Sequence, residues 1–280
     1  MSVWQSGNVA SNGIQMHYMR TGCAKPPIVL AHGVTDDGLC WTPVAEALAP
    51  DYDVIMVDAR GHGRSEATGS GYDPATQATD IHGVITGLGL HKPLLLGHSM
   101  GAITVLALAG LYPDTPRAVL LEDPPAFWLP AQPTPPRRSQ DGQAGPAAWL
   151  NQLKGKTREQ LIAEARVQNP AWSEAELGPW ADAKLLFSPT AVLNIFGSNT
   201  LAAIDWPATL QCITCSTLAI MADPERSAAL RPDGLKALQS YVPQLEAVHI
   251  AGAGHNIRRE QFARYMEVVR SFLDRVAAVA

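Results

Sequence analysis

Cysteine is scarce in this 280-residue chain, which has four. Cys23 and Cys40 stand alone, and Cys212 and Cys215 form a single C-x-x-C just before a predicted strand. A zinc site needs a second ligand pair at suitable spacing, and none is present. A thioredoxin-like pair opens a helix after a strand, the reverse of the order here. All four are therefore read as structural or free thiols, and neither a metal nor an organic cofactor is expected. Long apolar runs are missing too. No stretch of about 18 apolar residues occurs, so no transmembrane helix is expected. The net charge is −5 and no basic cluster breaks it, so no nucleic-acid partner is expected. The segment Met1–Gly7 has neither a basic nor an apolar leader pattern, and the expected location is cytoplasmic.

What the chain does have is alternation. Val3–Ala10 and Ile14–Met19 flank Asn12-Gly13 and read as a hairpin. Buried-strand runs follow at Ile28–Ala31, Val54–Asp58, Leu94–Leu96, Ala118–Leu121 and Ser216–Met221, with Glu246–Ile250 closing the series. Helical patterns separate them at Cys40–Leu48, Pro74–Leu90, Ile103–Ala109 and Pro232–Tyr241, and an amphipathic helix from Arg259 to Val276 ends the chain. This β-α-β order implies a mostly parallel central sheet with helices on both faces. The rhythm breaks at Pro124-Pro125. A loop near Gln132–Gly145, expected to be mobile, leads into helical spacing from about 147 to 198, interrupted by Pro170, Pro179 and Pro189. The α/β core is accordingly expected over 1–125 and 207–280, with 126–206 an inserted helical cap. The insertion carries five of the seven tryptophans, and Trp128, Trp149, Trp172 and Trp180 are candidates for a substrate wall.

The most informative pattern is Gly97-His98-Ser99-Met100-Gly101, which follows the strand Leu94–Leu96 and opens a helix. G-x-S-x-G at such a crossing is a nucleophile elbow: the turn is so tight that small residues must flank the serine. The amide of Met100, at the helix start, then points at a developing oxyanion. A second amide is expected from the loop after Ile28–Ala31, at Val34, with Gly33 permitting close approach to substrate. His32 braces that loop in this reading. Asp36 and Asp37 lie on the same loop as capping or solvated residues, with Asp36 also a candidate for substrate contact. A serine nucleophile needs a base and an orienting acid. His255 lies in the Gly-rich loop Gly252–Ile257 after the last strand. For the acid the preferred residue is Asp223. Asp123 is the runner-up, and Glu122 and Glu225 are further options.

These motifs together resemble the α/β-hydrolase superfamily. The resemblance rests on His32-Gly33-Val34, the run Asp58–Ser65, Gly97–Gly101 and Gly254-His255, and extends over nearly the whole chain. It implies an α/β-hydrolase fold with the insertion as the variable cap, and a turn-shaping role for Arg60 and Gly61. One departure is Met221-Ala222, where the family usually has Gly before the acid. Dehalogenases and epoxide hydrolases of this fold carry Asp at the nucleophile position, so Ser99 argues against both. The expected activity is cofactor-free hydrolysis of a small apolar carboxylic ester or lactone through an acyl-enzyme. Alternatives are a C–C bond hydrolase, for which Arg137, Arg138 and Arg166 are candidate carboxylate ligands, a perhydrolase, or a slow-turnover ligand-binding or signalling protein.

Overall fold

A computed structural model describes residues 4–22, 24–129, 146–197 and 204–278. Cys23, Arg137, Arg138 and the expected mobile loop lie outside the described residues. The chain starts with the hairpin β1 (Gln5–Ser11) and β2 (Ile14–Arg20). Asn12 and Gly13 join them with φ of 48° and 80°, the paired left-handed geometry that suits strand twist. Next come β3 (Pro27–Ala31), α1 (Thr42–Leu48), β4 (Asp53–Val57), α2 (Pro74–Gly87), β5 (Leu94–His98), α3 (Met100–Leu111) and β6 (Ala118–Glu122). After the inserted helices the order resumes with α8 (Trp206–Gln211), β7 (Ser216–Met221), α9 (Pro232–Tyr241), β8 (Leu245–His249), α10 (Ile257–Glu260) and α11 (Phe262–Ala278).

The sheet runs β1-β2-β4-β3-β5-β6-β7-β8. β1 and β2 pair antiparallel with each other, as β2 does with β4, and every later pairing is parallel. β4, β5 and β6 are buried at every residue, which is why they read as unbroken apolar runs. Alternate side chains feed opposite layers. Val29, Ile55 and Leu95 pack with α2 and α3, whereas Leu30, Met56 and Leu96 pack with α1 and α11. β3 lies between β4 and β5, so the connections from β3 and β5 leave in opposite directions. Their carboxyl ends are therefore the switch point of the sheet, the usual place for a ligand in such folds.

Between β6 and β7 stand α4 (Pro146–Lys154), α5 (Arg158–Gln168), α6 (Glu174–Leu186) and α7 (Pro189–Ile195). They share a small core of Leu150, Leu153, Leu161, Ala181, Phe187 and Val192. Pro179 was expected to interrupt the helical pattern, yet it lies within α6. One missing N–H there is outweighed by burial of Leu177, Ala181 and Ala183 on the same helix. The helices dock on the loops after β3 and β4; for example, Ser188 N donates to Gly61 O at 2.7 Å. Trp128 and Trp206, near either end of the insertion, belong instead to the core beneath the sheet. No helix among the described residues is long and apolar enough to cross a membrane.

A Cβ on Gly101 would overlap the carbonyl of Ala31 on β3, and neither backbone can give way without moving a buried strand. Gly101→Ala should therefore lower the melting temperature by several degrees or abolish soluble expression. Gly69→Ala, with nothing within 4 Å of the new carbon, should match wild type in the same thermal melt.

Candidate active site

Ser99 sits at the tip of β5 with φ 52° and ψ −114°, a conformation disfavoured for any residue with a side chain. Strain of this kind costs on the order of 1–3 kcal/mol and persists only when the surroundings fix it. Here the fixing contacts are backbone: Ser99 N donates to Glu122 O at 3.0 Å, and Ile103 N donates to Ser99 O at 3.1 Å. The side chain is thereby turned toward His255, whose Nε2 lies 2.9 Å from Ser99 Oγ. On the other side of the ring, His255 Nδ1 is 2.5 Å from Asp123 Oδ2. Asp123 is fully buried, and its two oxygens also accept from Ala229 N at 2.7 Å and Leu230 N at 2.9 Å. That array suits a carboxylate. With a carboxylate accepting on that side, Nδ1 carries the ring proton and Nε2 faces the Ser99 hydroxyl as an acceptor.

The preferred acid, Asp223, is not at the imidazole. Its carboxylate faces His249 Nε2 at 2.8 Å and accepts from Gly252 N at 2.8 Å, so it props the His255 loop from behind. The reason is strand order: β6 neighbours β5, whereas β7 is one strand further out. Strands lie about 4.8 Å apart, so a histidine poised over Ser99 meets the end of β6 first. Of the other options, Glu122 is turned into the protein and bonded to Arg258, and Glu225 is exposed. Asp123 has φ 44°, which swings its side chain off the strand direction and onto the sheet's edge.

The loop after β3 closes against the elbow. A Cβ on Gly33 would lie 2.8 Å from His98 Nδ1 and 3.4 Å from Ser99 Cβ, so only glycine permits this approach. Asp36 N donates to Gly33 O at 3.1 Å, closing a tight turn over Val34 and Thr35. The amides of Val34 and Met100 donate to no protein acceptor among the described residues, which leaves both free for an oxyanion. His32 braces the loop as expected: its Nε2 accepts from Ala59 N at 2.9 Å, and its Nδ1 is 2.8 Å from Gly33 O. In the Asp58–Ser65 run, Asp58 accepts from Gly38 N and Arg64 N, and Arg60 forms a two-pronged pair with Asp80.

Several side chains here were not anticipated. His98 Nε2 donates to the backbone carbonyl of His255 at 2.9 Å, fixing the main chain of that loop. Burial, then the nearby Arg258 and His255, push the His98 imidazole well below its ordinary range, so it stays neutral. Asp36, a candidate for substrate contact, is instead the hub of a buried ion cluster with Lys184 at 2.7 Å, Arg259 at 2.9 Å and Arg258 at 3.4 Å. Burial pushes its carboxyl up, but the three cations outweigh this and hold it well below the usual carboxylate range. Arg258 also binds Glu122 and lies over the Trp41 ring, and Arg259 binds Glu176. The sequence signal was the pair Arg258-Arg259 directly after the histidine loop.

The tryptophans divide. Trp128 is 4% exposed within the sheet's core, with its indole N–H on Gly234 O at 2.8 Å, and so belongs to that core rather than to the small core of the inserted helices. Trp172 and Trp180 meet edge to face, lying under Arg259 and Lys184 respectively. Trp149 on α4 is exposed. Arg166 is also exposed, in an ion pair with Glu174.

The sequence profile of the α/β hydrolase fold matches residues 26–258. An N-formylmaleamate deformylase of Pseudomonas putida is 28% identical over 271 residues, covering 96% of this chain and 96% of that protein. The crystal structure of an N-formylmaleamic acid deformylase from Pseudomonas putida superposes with a TM-score of 0.77 at 25% identity, covering 95% of this chain and 100% of that one. An enol-lactonase from Burkholderia xenovorans does so with a TM-score of 0.71 at 24% identity, covering 96% and 100%.

One carboxyl near the site carries a stability signature. Asp37 is 3% exposed and its Oδ1 has no partner among the described residues. Burial first, then the charges of Asp58 and Asp36, push it up to about 7. A carboxyl raised on folding contributes stability that is complete below its unfolded value and is lost as pH rises through about 7. Between about pH 5 and about pH 9 the wild-type melting temperature should thus fall by more than that of Asp37→Asn. Parallel pH profiles for the two proteins would contradict the assignment.

Proposed function

The chain belongs to the α/β hydrolase family and is a hydrolase of small molecules; from that premise we propose a serine mechanism without a cofactor. Ser99 Oγ attacks the carbonyl carbon of a carboxylic ester or lactone while His255 Nε2 takes the hydroxyl proton. The carbonyl electron pair moves onto oxygen, where the Val34 and Met100 amides hold it, each such donor being worth about 3 kcal/mol of barrier. Collapse breaks the bond to the leaving oxygen, which receives the proton from His255. Water then attacks the acyl carbon with His255 again as base. The second adduct collapses by breaking the Ser99 Oγ–acyl bond, releasing the acid as Ser99 Oγ takes the proton from His255. Asp123 holds the imidazole in the tautomer both steps need. The observation that carries this reading is the continuous contact Asp123–His255–Ser99, at 2.5 Å and 2.9 Å.

Likeness to an N-formylmaleamate deformylase over almost the full chain favours a second reading, in which the scissile bond is an N-acyl amide. The same residues serve it, because His255 is placed to protonate a leaving nitrogen as readily as an oxygen. The segment 126–206 is assigned as the cap, with Gly33 and the exposed Trp149 facing substrate. The C–C hydrolase alternative calls on the same triad; of its candidate carboxylate ligands, Arg166 pairs with Glu174 at the surface, and Arg137 and Arg138 lie outside the described residues.

Turnover of a panel of p-nitrophenyl esters, lactones and N-formyl amides should separate the readings by relative kcat/KM. Ser99→Ala should lose on the order of 10⁴-fold or more with its melting temperature kept, and retention of a tenth of the rate rejects the nucleophile. Asp123→Asn should lower kcat on the order of 10⁴-fold by admitting the wrong tautomer. Asp223→Asn should cost less than about tenfold, and the reverse ranking would move the acid back to Asp223.

A further inference from the structure

The turn Gly33–Asp36 holds Thr35 at φ 66°, where glycine is at ease and a β-branched residue is not. Such a turn keeps its shape only if something outside it holds on. Lys184 on α6 does so at two points. Its Nζ donates to Thr35 O at 3.0 Å and to Asp36 Oδ1 at 2.7 Å, and it is 4% exposed, a rare state for lysine. The ammonium also lies over the Trp180 ring, one turn earlier on the same helix, at 4.9 Å. The side chain of Val34 meanwhile packs against the core of the inserted helices.

We infer that Lys184 is a positioning residue for the oxyanion site: it clamps the Thr35 carbonyl in the strained turn and thereby aims the Val34 amide. The inserted helices thus help to shape the catalytic centre as well as to cover it. This rests on the proposed role of Val34. The charge balance allows a clean test, because Asp36 keeps Arg258 and Arg259 when Lys184 is removed.

Without its clamp, Thr35 relaxes toward negative φ, and the Val34 N–H turns away from the oxyanion. Lys184→Met should lower kcat about 10²-fold with KM within about threefold, and slow labelling of Ser99 by a fluorophosphonate by a similar factor. Adding Thr35→Gly makes the same backbone shape unstrained, so the double variant should recover at least about tenfold of the loss. A merely structural lysine would not give this rescue. Wild-type labelling rates in Lys184→Met, or no recovery on adding Thr35→Gly, would overturn the inference. Failure of the wild type to label would instead count against the serine mechanism. The clamp is then judged by a crystal structure of Lys184→Met: an unchanged positive φ at Thr35 with the Asp36–Gly33 bond intact refutes it.

Discussion

The buried carboxylate of Asp36 is the point at which three segments of the chain are held together. Lys184 reaches it from the inserted helices, Arg258 and Arg259 from the turn just after His255, and Asp36 itself stands on the loop after β3. Arg258 carries the link on to Glu122, whose successor in the chain is Asp123. The loop after β3, the His255 loop, the end of β6 and the insertion are therefore registered against one another by a connected set of charges in a water-poor interior. Such clusters add little net stability against apolar replacements, but removing Asp36, the shared anion, would leave Lys184 with no carboxylate and cost about 3–5 kcal/mol. What the cluster supplies is geometry.

That geometry is needed because the elbow alone is not a site. Gly97 and Gly101 let the chain turn sharply enough to expose Ser99, and Gly33 lets the neighbouring loop come within contact of it. Each of these close approaches is a local steric matter. The placing of His255 is not: it depends on His98 holding its carbonyl, on Asp123 holding its ring and on Asp223 holding the turn before it. Two carboxylates thus act on one histidine loop from opposite sides, one on the imidazole and one on the backbone.

The division explains what could be read from the sequence. Parallel strands buried on both faces announce themselves as apolar runs, and so β3 to β7 were legible nearly to the residue. The glycines of the elbow and of the histidine loop were legible because sterics within a few residues demand them. Which carboxylate meets His255 was not, since the answer lies in the lateral order β5-β6-β7, and only the sheet as a whole fixes that order. Trp128 misled for a related reason. It stands at the start of the insertion by sequence but folds back beneath the sheet, where Gly234 O takes its N–H. Asp36 looked like a solvated loop residue because its three cations come from positions 184, 258 and 259.

The central claim is an acyl-enzyme shared by all substrates of one acid. It is tested most directly by partitioning: esters of a single acid with different leaving groups are hydrolysed in the presence of methanol, and the ratio of methyl ester to free acid is measured. A common acyl-enzyme forgets its leaving group, so the account predicts one ratio across the series. A ratio that changes with the leaving group would mean that water or methanol attacks the substrate itself, and would contradict a covalent role for Ser99.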